Sequence, residues 1–183
     1  SQVQILPPQP IDFMKKIIFV TSKIRGGGSE NVLKLISENL ANLGYKTSII
    51  ILDDSKSKIK PNNKINYFFY KGHKSLLNNK AILNLKKIFF IRSLIKNHKP
   101  DVVFSFITET NVLAIISCIL LRCKIITSER NDIEKQTKSK VWVLLSYIFY
   151  RYSDIITANS NKSVNLLKKK FKDKNIKFLP NPV

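Results

Sequence analysis

The chain has 183 residues, 44% of them hydrophobic and 10% aromatic, and carries 32 Lys and Arg against 12 Asp and Glu, a formal charge of +20. That length and apolar content allow one domain with a sizeable core, there is no internal repeat, and the charge calls for an anionic partner: nucleic acid, an anionic membrane surface or a phosphorylated substrate. Residues 1–13 (SQVQILPPQPIDF) are rich in proline, have no period and precede the single methionine, Met14. They read as a foreign leader, which leaves a domain over 14–183. Ile17, Ile18, Phe19 and Val20 then form a short apolar run, the pattern of a strand buried on both faces of a parallel sheet. Gly26, Gly27 and Gly28 follow. Ser29 stands as a helix N-cap, Glu30 at the positive end of the helix dipole, and Leu33, Ile36, Leu40 and Leu43 keep helical spacing up to Gly44 as the closing glycine. Strand, glycine turn and helix bring backbone N–H groups close to a ligand and favour an anion such as a diphosphate. Asn31 stands where the dinucleotide fingerprint needs its third glycine, and no Gly-Lys-Ser/Thr follows, so no particular nucleotide is specified.

Residues 46–52 (KTSIIIL) read as a second strand, ended by Asp53 and Asp54. The window 55–100 then contains no acidic residue and twelve basic ones. Within it, 65–70 (INYFFY) reads as a third strand and 81–96 as an amphipathic helix stopped by Pro100. Lys71, Lys74, Lys86, Lys87 and Arg92, interleaved with Phe68, Phe69, Tyr70, Phe89 and Phe90, suit an anionic membrane surface, where each basic residue contributes about 1 kcal/mol. A solvated face is the plain alternative. The same pattern would suit RNA, but no named nucleic-acid module is visible.

Further along, 101–106 is a fourth strand, 111–122 a nearly all-apolar helix and 124–127 a fifth strand, followed by a polar loop over 128–138. Residues 141–152 (VWVLLSYIFYRY) read as a buried helix, 154–158 as a sixth strand, 160–171 as a helix capped by Ser160, and 176–179 as a last short strand. The apolar span 102–121 is broken by Thr108, Glu109, Thr110 and Asn111 and reads as strand plus helix, not a membrane span. Strands alternating with helices predict an α/β fold: a Rossmann-like, doubly wound, mainly parallel sheet of about six to seven strands with helices on both faces. Ligands of such sheets sit at the carboxyl ends of the strands.

Those ends hold the candidate residues. Arg130 can clamp a phosphate bidentately and Glu129 can accept from sugar hydroxyls, with Asn131 beside them; an internal ion pair in a solvated loop is the alternative. Glu109 and Asn111 could line an acceptor cleft, although Asn111 is equally well explained as a helix N-cap. His73 and His98 lie away from the strand ends, and no zinc spacing exists, so neither a metal nor a catalytic base is indicated. Cys118 and Cys123 lack a CxxC spacing and read as buried, reduced thiols of a cytoplasmic protein.

Four segments in order resemble one family. Gly27-Gly28-Ser29-Glu30 after the first strand resembles the GGxE loop of family-4 glycosyltransferases of GT-B architecture. Pro100-Asp101-Val102-Val103-Phe104-Ser105-Phe106 with Asn111 resembles their PDVV-S segment. Ile126-Thr127-Ser128-Glu129-Arg130-Asn131 resembles the SERN turn of a bacterial subgroup that builds lipid-linked oligosaccharide, capsule or lipopolysaccharide. Asn159-Ser160 through Leu179-Pro180-Asn181-Pro182-Val183 resembles the segment before the interdomain linker. The resemblance implies the acceptor-side, N-terminal half of a retaining enzyme, inactive without its donor domain and peripheral to the inner face of the cell membrane. It implies a nucleotide-sugar donor, UDP-linked, and a lipid-linked or surface-glycan acceptor; with no metal spacing in the sequence, no cofactor beyond that donor is expected. Gly26, Gly27, Gly28 and Ser29 would approach the donor, and Glu129, Arg130 and Asn131 would line the cleft near the transferred sugar. Asn31 replaces the family's common arginine and no histidine occupies the strand-end turn, so no catalytic residue is named. A stand-alone Rossmann-like nucleotide- or phosphate-binding module and a basic nucleic-acid-binding domain are the other readings.

Overall fold

The computed structural model describes residues 15–24, 27–53, 61–72, 79–130 and 139–181. Gly26, His73, Lys74, Asn131 and the leader 1–13 therefore lie outside the described residues. The elements run β1 (Lys16–Thr21), α1 (Gly28–Asn42), β2 (Lys46–Ile51), β3 (Ile65–Phe69), α2 (Lys80–His98), β4 (Val102–Phe106), α3 (Thr108–Cys118), β5 (Lys124–Glu129), α4 (Lys140–Phe149) with a 3₁₀ turn over Tyr150–Tyr152, β6 (Ile155–Ala158), α5 (Asn161–Lys170) and β7 (Asn175–Phe178). All seven strands are parallel, in the order β3-β2-β1-β4-β5-β6-β7.

Every residue of β1 and of β2 after the first is buried, as their unbroken apolar runs require of strands covered on both faces. The two faces are covered unequally. Ile17, Phe19, Ile49, Ile51, Phe104 and Phe106 pack with Val32 and Leu33 of α1. Ile18, Val20, Ile50, Val103 and Ile156 point the other way, into a larger core filled by α2, α3, α4 and α5. Phe104 and Phe106 stack at 4.7 Å between centroids, with Phe19 stacked on both, so three aromatic rings fill the α1 side at the middle of the sheet.

Several local features differ from the sequence reading. The α1 N-cap is Gly27, not Ser29. The helix closes as expected at Gly44, whose φ of 89° is a left-handed conformation that glycine adopts without strain. Asn111 is not a cap: α3 already begins at Thr108, and Asn111 lies inside it. The helix α4 is not buried. Only Ser146 along its length and Tyr150 just after it are buried, while Val141 and Leu144 are 62% and 60% exposed. A helix apolar on every side shows no direction in its sequence, and this one rests on α3 by one flank only. Cys118 is buried, but Cys123 is only half-buried; both thiols are free.

Candidate functional site

The strand order reverses between β1 and β4, and their carboxyl ends diverge there into different helices. Such a switch point opens a crevice above the sheet. On the β1 side, Gly27 has φ −72° and ψ 161°, ordinary extended backbone, and donates its N–H to Glu30 Oε2 at 3.0 Å. The carboxylate of Glu30 thus folds back on its own helix start and is itself buried. A methyl group added at Gly28 would meet nothing within 4 Å. Nothing in the packing of the described residues demands glycine at 28, and among them the space beside it is open to a ligand.

On the β4 side the chain turns at Ile107, with φ 71° and ψ 138°. A β-branched residue is a genuine outlier at positive φ, at a cost on the order of 1–3 kcal/mol. The turn is held by the Ile107 N–H donating to Ser128 O at 3.0 Å and by Asn111 N–H donating to Ile107 O at 2.8 Å. Beneath it lies a closed polar network. Asn111 Nδ2 faces Ser128 O, Glu129 Oε1 and the Tyr150 hydroxyl at 3.2, 3.0 and 3.0 Å, and its Oδ1 accepts from Ser105 Oγ at 2.8 Å. Thr108 Oγ1 lies 3.1 Å from Glu129 Oε2, and the Tyr150 hydroxyl bonds Glu129 Oε1 closely.

Glu129 therefore does not reach out to sugar hydroxyls. Its carboxyl is 1% exposed and points into the α2–α5 side of the sheet. Burial, outweighing the hydrogen bonds from Asn111 and Thr108, pushes its pKa up to about 8 from a reference of 4.5. At neutral pH the group is mainly a neutral acid, accepting from Thr108, Asn111 and Tyr150. Asn111, placed by the sequence in an acceptor cleft, is 0% exposed and serves as the centre of this network.

The pleat of β5 sends its neighbours the opposite way. Ser128, paired with Phe106, and Arg130 fall on the α1 side, where the Arg130 guanidinium sits 5.7 Å over the Phe106 ring. Arg130 Nη1 donates to Leu179 O at 2.9 Å and Asn181 Oδ1 at 3.1 Å, and Asn159 Nδ2 donates to Arg130 O at 3.2 Å. Arg130 is thus tied to the segments after β6 and β7. Burial pulls its pKa below the ordinary value for arginine.

The remaining candidates scatter. Ser29 is half-buried in the first turn of α1, and Glu109 is exposed in the first turn of α3. Lys87 belongs with the strand ends: it is partly buried, burial lowers its pKa, and the carboxylates of Asp53 and Glu109 pull the other way. Arg92 leaves the membrane-facing set, because its Nη1 donates to Ser117 O and Ile119 O at 3.0 and 2.7 Å and so closes the end of α3. Lys71 and Lys86 are exposed. Thr108, Ser105 and Tyr150 were missed by sequence reasoning; only strand parity along TSER, applied residue by residue, separates Glu129 from Ser128 and Arg130. Among the described residues no three metal-ligating side chains converge, and no helix is long and apolar enough to cross a membrane.

Known proteins share this framework. A Campylobacter jejuni protein, "GalNAc-alpha-(1->4)-GalNAc-alpha-(1->3)-diNAcBac-PP-undecaprenol alpha-1,4-N-acetyl-D-galactosaminyltransferase", is 29% identical over 145 residues, which cover 79% of this chain and 40% of that protein. The apo lipopolysaccharide outer core galactosyltransferase WaaB matches with a TM-score of 0.73 at 17% identity, over 92% of this chain and 46% of its own. Anabaena HepE, solved with UDP and glucose, matches at 0.64 and 15%, over 92% and 45%. The chain thus spans less than half the length of each of these proteins. At such identities the two solved structures speak for the fold: a Rossmann-like parallel sheet of the GT-B kind. The family model for Glycosyltransferase Family 4 matches residues 26–183, most of the chain, and this protein belongs to that family.

Proposed function

We propose that the chain is the acceptor-side domain of a retaining glycosyltransferase that moves a sugar from a UDP-linked donor to a lipid-linked or surface-glycan acceptor. The observation that carries this reading is the open space beside Gly28 at the end of β1, next to the reversal of strand order, in a chain of this family. The Campylobacter relative, by its name, acts on an undecaprenol diphosphate glycan, and the HepE structure holds UDP and glucose. Donor transfer of this type needs positioning and stabilisation of a leaving diphosphate. We assign that task chiefly to a second, donor-binding domain, so the 183-residue chain alone binds acceptor without turning over. We name no metal for the reaction.

The same reading places the domain at the cytoplasmic face of the membrane. Ile82, Leu85 and Phe89 repeat along one exposed side of α2, and Val141, Leu144, Ile148 and Tyr152 along α4 and the turn after it. Both helices flank α3 on the same side of the sheet, and Lys80 and Lys86 lie among the α2 residues. Apolar side chains among lysines suit insertion between anionic headgroups.

Co-sedimentation with phosphatidylglycerol vesicles tests this placement. Binding should be salt-sensitive, should weaken with Lys71→Glu and Lys86→Glu, and should be lost with Leu85→Glu and Leu144→Glu. Equal binding to neutral and anionic vesicles, or tight RNA binding with a steep salt slope and no vesicle binding, would overturn it. Tight binding of NAD in preference to UDP would favour the stand-alone nucleotide module instead.

A further inference from the structure

Ser128 and Arg130 are two residues apart on one strand end, on the same side of the sheet, and three of their buried polar atoms have no hydrogen-bond partner among the described residues: Ser128 Oγ, Arg130 Nε and Arg130 Nη2. Both residues are buried, Ser128 at 0% and Arg130 at 7% exposure. A guanidinium taken out of water without a carboxylate, and a buried hydroxyl without a partner, are both costly to leave unpaired. The neighbouring carboxylate, Glu129, is on the opposite side of the strand and engaged by Tyr150, Asn111 and Thr108. The Phe106 ring beneath the guanidinium supplies only its quadrupole. Nη1 is already used by Leu179 and Asn181, so the unpartnered edge is the Nε–Nη2 side, the fork that receives two oxygens of an oxyanion in parallel.

The glycine turn at the other side of the crevice is a poorer place for that anion. The Gly27 N–H is occupied by Glu30 Oε2, which also sets a negative charge at the start of α1. We infer that Ser128 Oγ and the Nε–Nη2 edge of Arg130 form an anion subsite for a diphosphate, the group shared by a nucleotide sugar and a polyprenyl diphosphate. The inference deepens the glycosyltransferase reading and rests on it only for which diphosphate arrives.

The probe is inorganic pyrophosphate, followed through the side-chain Nε–H resonance of Arg130, which is assigned by its absence in Arg130→Lys. Pyrophosphate should shift that resonance. Arg130→Lys keeps a cation but loses the fork, and should weaken pyrophosphate at least tenfold, as expected for loss of a charge-assisted pair of hydrogen bonds. Ser128→Ala should weaken it by roughly threefold while leaving thermal stability unchanged or raised, since it deletes a buried hydroxyl that has no partner; a purely structural serine would not show that combination. An unmoved Arg130 resonance, or wild-type pyrophosphate affinity in both variants, overturns the inference. Two further arms identify the source: UDP in solution, and vesicles bearing a polyprenyl diphosphate compared with phosphatidylglycerol vesicles of equal charge. If UDP binds without moving the Arg130 resonance, the subsite falls and the glycosyltransferase reading stands. If pyrophosphate engages Arg130 and neither UDP nor the lipid diphosphate does, the subsite stands and that reading falls.

Discussion

Glu129 carries the sharpest consequence at the scale of single residues. Its pKa is about 8 in the folded chain against a reference of 4.5, so between those values the folded state holds a proton that the unfolded state has lost. Stability from this group is complete below the unfolded value and declines as pH rises through the folded one, by up to a few kcal/mol. Glu129→Gln copies the charge of the neutral acid and keeps the Oε1 acceptor for Asn111 and Tyr150. It should leave the stability at pH 5 nearly unchanged and flatten the loss between pH 5 and 8, read by urea melts across that range. Asn111→Ala strips the partners from Ser105, Glu129 and Tyr150 at once; a loss of about 2–4 kcal/mol is expected in the same melts. Little of this could be read in advance. The residue types Ser-Glu-Arg at a strand end announce a loaded turn, but they do not say that Glu129 folds inward, because its partners come from α3 and the turn after α4. Tyr150 in particular is one aromatic among several in VWVLLSYIFYRY, and nothing in that string distinguishes it.

At the scale of elements, periodicity told helix from strand well and burial poorly. The runs IIFV and SIII are strands because β-branched residues in an unbroken row fit only a doubly covered sheet. Of the expected α1 stripe, Leu33, Ile36 and Leu40 do face β1 and β2, joined by Val32, whereas Leu43 is 74% exposed. The same logic fails for α4, where apolar residues all round conceal which side is free. Its free side gives a test: Leu144→Glu should change stability by no more than about 0.5 kcal/mol, as for an exposed site without partners, yet weaken vesicle binding. The start of α1 behaves conversely. Glu30→Ala removes the acceptor of the Gly27 N–H and should destabilise by about 1 kcal/mol in a thermal melt.

For the whole molecule, charge dominates. The formal charge is +20, and between described residues Lys34 pairs with Glu38 at 4.0 Å within α1. An exposed pair at that distance contributes little, so net repulsion is left to salt to screen. Raising NaCl from about 20 to about 300 mM, which shortens the screening length roughly fourfold, should raise the melting temperature. A flat response would mean that the positive charges are too dispersed to act together. Composition alone carried that expectation, and the alternation of elements carried the parallel sheet. Among the described residues, the placement of four helices on one face and one on the other was not legible, because it follows from the reversal of strand order between β1 and β4.

That reversal also sets an order of assembly. Every other neighbouring pair of strands joins residues 18 to 30 positions apart, whereas β1 meets β4 across 85, Ile17 against Val102. Closing so long a loop is entropically the most demanding step of the sheet. Two half-sheets, β1–β3 and β4–β7, can form by short-range pairing, and their union along the β1–β4 seam should limit the folding rate. In a chain emerging from the ribosome, the seam cannot begin to zip until Val102 is clear of the exit tunnel. Until then Phe19, Phe104 and Phe106 lack their shared stack, and the early half-sheet presents a bare aromatic edge to whatever chaperone is at hand.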